Sequence, residues 1–380
     1  MLAVHLGQHA PRVFIPHHGH ILGIWDAEGF VMIAGFLMGA IISRKKLDQN
    51  PSKLWALVRE RVVKIYTHQL YAALPITLAA MAGAFWLGVE RFGVGPPLQE
   101  LSLVFLMLQG PSHTEILILY VGVFALIPLF VGLIRWRGVG AALCASLALY
   151  LLGQLTYGMF LVDLIHRYTP LVVQMPYFDV LAWQFCFMVG FALAWRLEHV
   201  KAFLHAIGAV TVTALIAAFA LAIVVVNENA YALAMWWRDS FAITGAGGTY
   251  DPRQDFAASY LFVTLLLTGI VTCLALGPLP AFLRVARRAG AWFFSLPFFV
   301  ALGRDSIRMY VLHVYLAFIF VAALRLELVP PIPLLRAFYI CLLGAVFLAA
   351  PYVFKWIDRF TGPGGYRRPK PRRDAQGVRI

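Results

Sequence analysis

The chain has 380 residues, 61% of them hydrophobic and 13% charged, with a mean hydropathy of +0.79. Soluble domains are about half apolar and a quarter charged, so a soluble globule could not hide this much apolar surface and the bilayer must be the solvent. The formal net charge of +13 could suggest a nucleic-acid partner, but the positions of the basic residues follow membrane topology and give no such footprint.

From the N-terminus, the apolar run Met1–His9 ends at histidine and proline and lacks both a basic start and a small-residue cleavage site, so it does not read as a cleavable signal peptide. Runs of crossing length, about 20 residues each, are predicted near 24–43, 66–89, 115–134, 139–160, 180–196, 203–226, 257–278, 306–325 and 335–355. Between the first two lies the basic segment 44–64, whose stretch LWALVRERVVKIY separates apolar and cationic positions on a helical period. That pattern suits either a helix lying on the cytoplasmic leaflet or a positive-inside anchor. After the last run, residues 359–380 are rich in Pro, Gly and Arg and are predicted to be a disordered basic cytoplasmic tail, leaving 1–358 as a single integral-membrane domain.

Assigning loops alternately puts 24 of the 31 Lys and Arg on one side, among them Arg44, Lys64, Arg135, Arg196, Arg284 and Arg304. The positive-inside rule makes that side cytoplasmic. Both termini belong there only if Met1–His9 is the outer half of a first helix. The expected architecture is therefore all-α: a multi-pass inner-membrane protein of about ten transmembrane helices. Its first helix is expected to be truncated at Met1, or to start about ten or more residues upstream. Cys144, Cys186, Cys273 and Cys341 lie in apolar runs without metal spacing, which argues against disulfides and zinc sites. Neither GxGxxG nor a Walker motif is present, so ATP-driven transport has no support within this chain.

Ionisable groups at membrane depth cost at least about 2.5–3.5 kcal/mol on insertion scales and default to functional candidates. Three clusters stand out. The first joins His9, His17, His18 and His20 to Asp26 and Glu28. A histidine beside a carboxylate has the tautomer and basicity a general base needs; the HHxH pattern could also bind zinc or copper, or be a solvated loop. The second is GPSHTEILILY, where His113 and Glu115 could bind an acceptor, or where Ser112, Thr114 and Glu115 could cap a helix. The third is LGRDSIRMYVLHV, with Arg304, Asp305 and Arg308 at a helix mouth and His313 two turns deeper; positions 306, 310 and 313 fall near one face. An arginine-lined entrance followed by a buried imidazole suits an anionic acyl-CoA, while the plainer reading is a helix start capped by Asp305 with snorkelling arginines.

Taken in order, these segments resemble the OpgC family, membrane acyltransferases that add succinyl groups to osmoregulated periplasmic glucans, a family similar in turn to the broad acyltransferase-3 group. The resemblance rests on His9 followed by GIWDAEGFVMIAGFLMG, then EILILYVGVFALIPL, LAWQFCFMVGFALAW and LGRDSIRMYVLHV, over about residues 1–325. Departures are the missing arginine-containing start, Met32–Ala34 in place of FLS, Ile118 where proline is usual, and Trp25 at the family's aspartate, which offsets Asp26 by one.

The resemblance implies His9 as the leading catalytic residue, with Glu28 and Asp26 orienting it or placing the acceptor. It implies Trp183 and Gln184 as support for the cavity, and Arg304, Ser306 and His313 as facing the donor. The expected activity is acyl transfer, succinyl or another acyl group, from cytosolic acyl-CoA to a hydroxyl of a periplasmic glucan or other saccharide. No permanently bound cofactor is expected, only acyl-CoA (succinyl-CoA or acetyl-CoA) as donor, with membrane lipid as surroundings. The rival readings are a proton-coupled transporter or flippase of an acyl, lipid or sugar intermediate, and an inactive scaffold.

Overall fold

A computed structural model describes residues 26–82, 97–111, 114–156, 160–169, 171, 173, 178–241, 258–329 and 332–361. Among these there is no strand, and thirteen α-helices follow one another. They are α1 Asp26–Arg44, α2 Pro51–Met81, α3 Pro97–Phe105, α4 Glu115–Arg137, α5 Val139–Leu155, α6 Phe160–Tyr168 and α7 Val180–Trp195, then α8 Leu197–Phe241, α9 Ala258–Leu276, α10 Ala281–Phe294, α11 Pro297–Arg304, α12 Ser306–Arg325 and α13 Pro333–Thr361. Six of the described helices are long and apolar enough to cross a membrane, or up to eight if two bent pairs each form one span. The run Met1–His9 lies outside the described residues.

The tightest helix pair is α1 with α7. A Cβ built on Gly35 would overlap the backbone carbonyl of Phe187, one on Gly190 would overlap that of Met32, and one on Gly39 would lie 2.5 Å from the Phe191 carbonyl oxygen. Lipid tails are as apolar as leucine, so helices in a bilayer gain little by hiding apolar faces and associate instead by close backbone packing at small residues. The Gly35-Phe-Leu-Met-Gly39 stretch of α1 is such a surface. Because Gly35 meets Phe187 and Gly39 meets Phe191, the two helices run parallel.

Helices α2, α4 and α5 build most of the main core around this pair, with Tyr260 and Leu261 of α9 added. Gly138, with φ of 87°, turns the chain from α4 directly into α5 and makes them antiparallel neighbours. Gly122 of α4 receives Val180 at the start of α7, and Phe124 packs edge-on against Phe187 at 5.6 Å. The Arg135 guanidinium donates to the Asp48 carbonyl at 2.8 Å, while Gln69 of α2 reaches Thr114 just before α4, so residues 51–69 of α2 run antiparallel along α4. Arg44, Arg135 and Arg196 thus mark one end of this core. Farther along, α2 packs its residues Ala73, Ile76 and Ala80 against Val104 of α3 and Val314 and Phe318 of α12.

Several predicted boundaries move. No break separates the basic segment 44–64 from the apolar run after it: Pro51–Met81 is one helix of 31 residues, begun by Asn50, whose side chain accepts from the Lys53 amide at 3.1 Å. The predicted span 203–226 lies within a longer helix, Leu197–Phe241, broken at Gly208, whose φ of 79° is readily available only to glycine. Helices α10 and α11 were not predicted as elements at all; they follow the turn at Pro278 and Pro280 and bend by 61° at their junction.

The close approach of α1 and α7 predicts that Gly190→Ala lowers stability by about 2–3 kcal/mol, because the clash is with rigid backbone. Gly132→Ala on α4, where a Cβ meets nothing within 4 Å, leaves the melting temperature of the detergent-solubilised protein unchanged or slightly raised. Equal effects of the two substitutions would contradict this packing.

Candidate functional site

At the end of the core opposite Arg44 and Arg135, polar side chains from four helices come together. Glu28, in the first turn of α1, is buried at 3% exposure. Its backbone carbonyl lies 3.5 Å from the Cys186 Sγ of α7, which can donate to it. Cys186 is within electrostatic reach of the Glu28 carboxyl, and Tyr120 of α4 is within reach of Cys186. Tyr310 of α12 is within reach of both Tyr120 and Glu115. Tyr120 near the start of α4 and Ile307 and Tyr310 near the start of α12 all pack onto the main core.

His313 lies one turn beyond Tyr310 and is 2% exposed. Its Nδ1 sits 3.1 Å from the Tyr310 carbonyl oxygen. A carbonyl can only accept, so in this bond Nδ1 carries the proton and the basic lone pair of the neutral ring is on Nε2. The imidazole is thereby held in the tautomer a general base requires.

Two other polar sets hold the surrounding helices. Gln184 is fully buried on α7: its amide nitrogen donates to the Ser146 carbonyl at 2.7 Å and to the Leu181 carbonyl at 3.0 Å, and its oxygen accepts from the Ser146 hydroxyl at 2.6 Å. These bonds fasten α5 to α7 and satisfy an amide that would otherwise be costly at this depth. Trp183 packs edge-on against Phe178 at 4.9 Å. Gln69, also fully buried, donates to the Thr114 hydroxyl at 3.1 Å, and that hydroxyl donates to the Pro111 carbonyl at 2.8 Å. Thr114 makes no side-chain cap on α4, so it fixes the turn before the helix, and the half-buried Glu115 occupies the helix's electropositive first turn.

Asp179, just before α7, accepts from the Leu181 amide at 3.0 Å and is 2% exposed. Burial pushes its carboxyl up to about 6, against the lowering effect of its bonds to the Leu181 and Ala182 amides.

The remaining predicted site residues fall as follows. His9 and His113, with His17, His18 and His20, lie outside the described residues. Asp26 is the first residue of α1, and its side chain is likewise outside them. Arg304 ends α11, exposed and paired with Asp305 at 3.6 Å, and Ser306 opens α12, also exposed. Asp305 makes no side-chain cap on α12. Arg308 pairs with Asp358 of α13 at 2.8 Å, which ties those two helices together at their surface. The structure thus brings Glu28, Glu115 and the helix bearing His313 to one end of the core, while Arg304 and Ser306 sit at the approach to it. Gln69, Tyr120, Cys186 and Asp179 were not singled out from sequence. Gln69 met the criterion of a polar side chain inside an apolar run.

The fold and this interior polar site define a multi-pass helical membrane protein with chemistry-bearing groups held away from solvent. The family model for OpgC protein matches residues 14–359, nearly the whole chain, and the chain belongs to that family. Membership points to a membrane acyltransferase acting on periplasmic glucans. No curated protein and no solved structure matches it.

Stability should respond to Asp179. With its proton held more tightly in the folded state, stability is full below the ordinary carboxylate range and falls as pH rises to about 6. Wild-type protein is expected to lose about 1 kcal/mol between pH 5 and 7.5. Asp179→Asn, which keeps an acceptor for the Leu181 amide, flattens that dependence. Parallel melting curves for the two proteins across this range would contradict the assignment.

Proposed function

We propose that the chain transfers an acyl group, succinyl by its family resemblance, from acyl-CoA to a hydroxyl of a periplasmic glucan. The observation that carries this reading is that Glu28 and His313 are buried on helices distant in sequence, with Cys186, Tyr120 and Tyr310 between them within electrostatic reach of one another, in a chain of the OpgC family. Keeping these groups in an apolar bundle carries a desolvation penalty that packing alone does not explain.

In the proposed reaction a histidine base removes the proton of the acceptor hydroxyl. The hydroxyl oxygen attacks the thioester carbonyl carbon, the C–S bond breaks, and coenzyme A leaves as the thiol after taking up a proton. His9 is the first candidate for the base by resemblance, and His313, with its lone pair on Nε2, is the second. Glu28, with Asp26 beside it in sequence, orients the imidazole or the acceptor. The phenol of Tyr120 donates to the oxyanion of the tetrahedral intermediate. Arg304 and Ser306 meet the anionic donor at the exposed approach, and His113 and Glu115 meet the sugar. Trp183 and Gln184 support the cavity, Gln184 through its bonds to Ser146.

Membranes containing the protein are given radiolabelled succinyl-CoA and glucan. The proposal predicts labelled glucan, with a loss of about 10²–10⁴-fold in His9→Ala, His313→Ala or both, and a comparable loss in Glu28→Gln. Full labelling in both histidine variants would overturn the site, and absence of label with every acyl-CoA tried would overturn the activity.

A further inference from the structure

Away from the polar site, α8, α9 and α10 form a unit with its own apolar cluster of Leu204, Val212, Cys273 and Leu279. At one end of this unit a cavity of about 520 Å³ opens between the start of α8, the end of α9 and the start of α10. Lys201, His205, Arg284 and Arg287 line it, against a single acid, Glu198. Lys201 and His205 lie one helical turn apart, and Arg287 is steadied by donating to the Gly277 carbonyl at 3.3 Å. The remaining wall is apolar, supplied by Leu197, Leu276 and Leu279. Chain continuity from Arg196 to Leu197 places this cavity at the basic end of the core.

The helix that carries the two arginines is amphipathic. Phe282, Val285 and Trp292 share one face and are 66%, 64% and 66% exposed, whereas Arg284, Arg287 and Arg288 share the other. An apolar face left open beside a cationic face is the pattern of a helix lying in the plane of a membrane interface.

We infer that this cavity binds the phosphate of an anionic phospholipid headgroup, with the acyl chains lying along the open face of α10. Cations within the cavity supply the charge complementarity, the adjoining apolar wall and helix face suit the chains, and a free soluble anion would leave both uncovered. The site is independent of the acyl-transfer reading and requires no reaction.

The test is native mass spectrometry of the full chain in detergent, titrated with phosphatidylglycerol or phosphatidylcholine. Wild type should retain phosphatidylglycerol preferentially. Arg284→Ala with Arg287→Ala should weaken retention about 25-fold, at about fivefold per cation, and Glu198→Gln should tighten it. Arg288→Ala removes the same charge from α10 outside the cavity and should change little; an equal loss there would overturn the site in favour of general attraction. Equal retention of both lipids, or displacement of phosphatidylglycerol by millimolar inorganic phosphate or coenzyme A, would also overturn it. A Lys201→Ala variant with wild-type melting and reduced retention keeps the test valid if the double variant misfolds.

Discussion

The contact of two bare backbones, α1 on α7 through Gly35, Gly39 and Gly190, sets the position of the other helices in the core. In water such a pair would be held by hiding apolar side chains. In lipid that driving force is absent, and what remains is dispersion between closely fitted surfaces and the satisfaction of polar groups. Once α1 and α7 are in register, Glu28 is level with Cys186. Val180 then seats on Gly122 and brings Tyr120 into the same layer. A side chain larger than hydrogen at any of the three contact glycines would push this layer apart before it changed anything chemical.

Every polar side chain near that layer raises the same question of where its hydrogen bonds go. Gln184 answers it with Ser146 and Leu181, and the result is a fastener between α5 and α7. Gln69 answers it with Thr114, and the result is a fixed turn ahead of α4. His313 spends Nδ1 on a backbone carbonyl, which orients the ring and sets its tautomer. The fully engaged amide of Gln184 thus acts as a fastener between helices.

Much of the architecture was legible as hydropathy, since a span needs apolar length and little else. The family, too, was legible in ordered motifs, and the match over residues 14–359 agrees. Boundaries were less so. Charge density in 44–64 reads like an interruption, yet a helix can carry cations on one face without stopping, and Pro51–Met81 does so. Helix α10 escaped notice because its apolar residues are interleaved with Arg284, Arg287 and Arg288, which lowers a window average while leaving a strong apolar face. Among the interior polar groups, Glu28 and His313 stand out in the sequence because burying them is expensive, and both are buried. Tyr120 and Cys186 do not, because each is ordinary in an apolar run and gains meaning only from its neighbours across helices. The glycine spacing on α1 was in plain view, but only the partner backbone shows its use.

Alternating loops assign the starts of α4 and α12 to opposite faces of the membrane, yet Tyr310 lies within electrostatic reach of Tyr120 and Glu115. We propose that donor and acceptor enter from opposite sides and meet in the layer that holds Tyr120. The direct test is transfer across a sealed proteoliposome, with glucan enclosed in the lumen, labelled succinyl-CoA outside, and protein oriented with Arg44 and Arg135 outward. Labelled lumenal glucan from intact vesicles is the expected result. Label that appears only when both substrates share one side would contradict it.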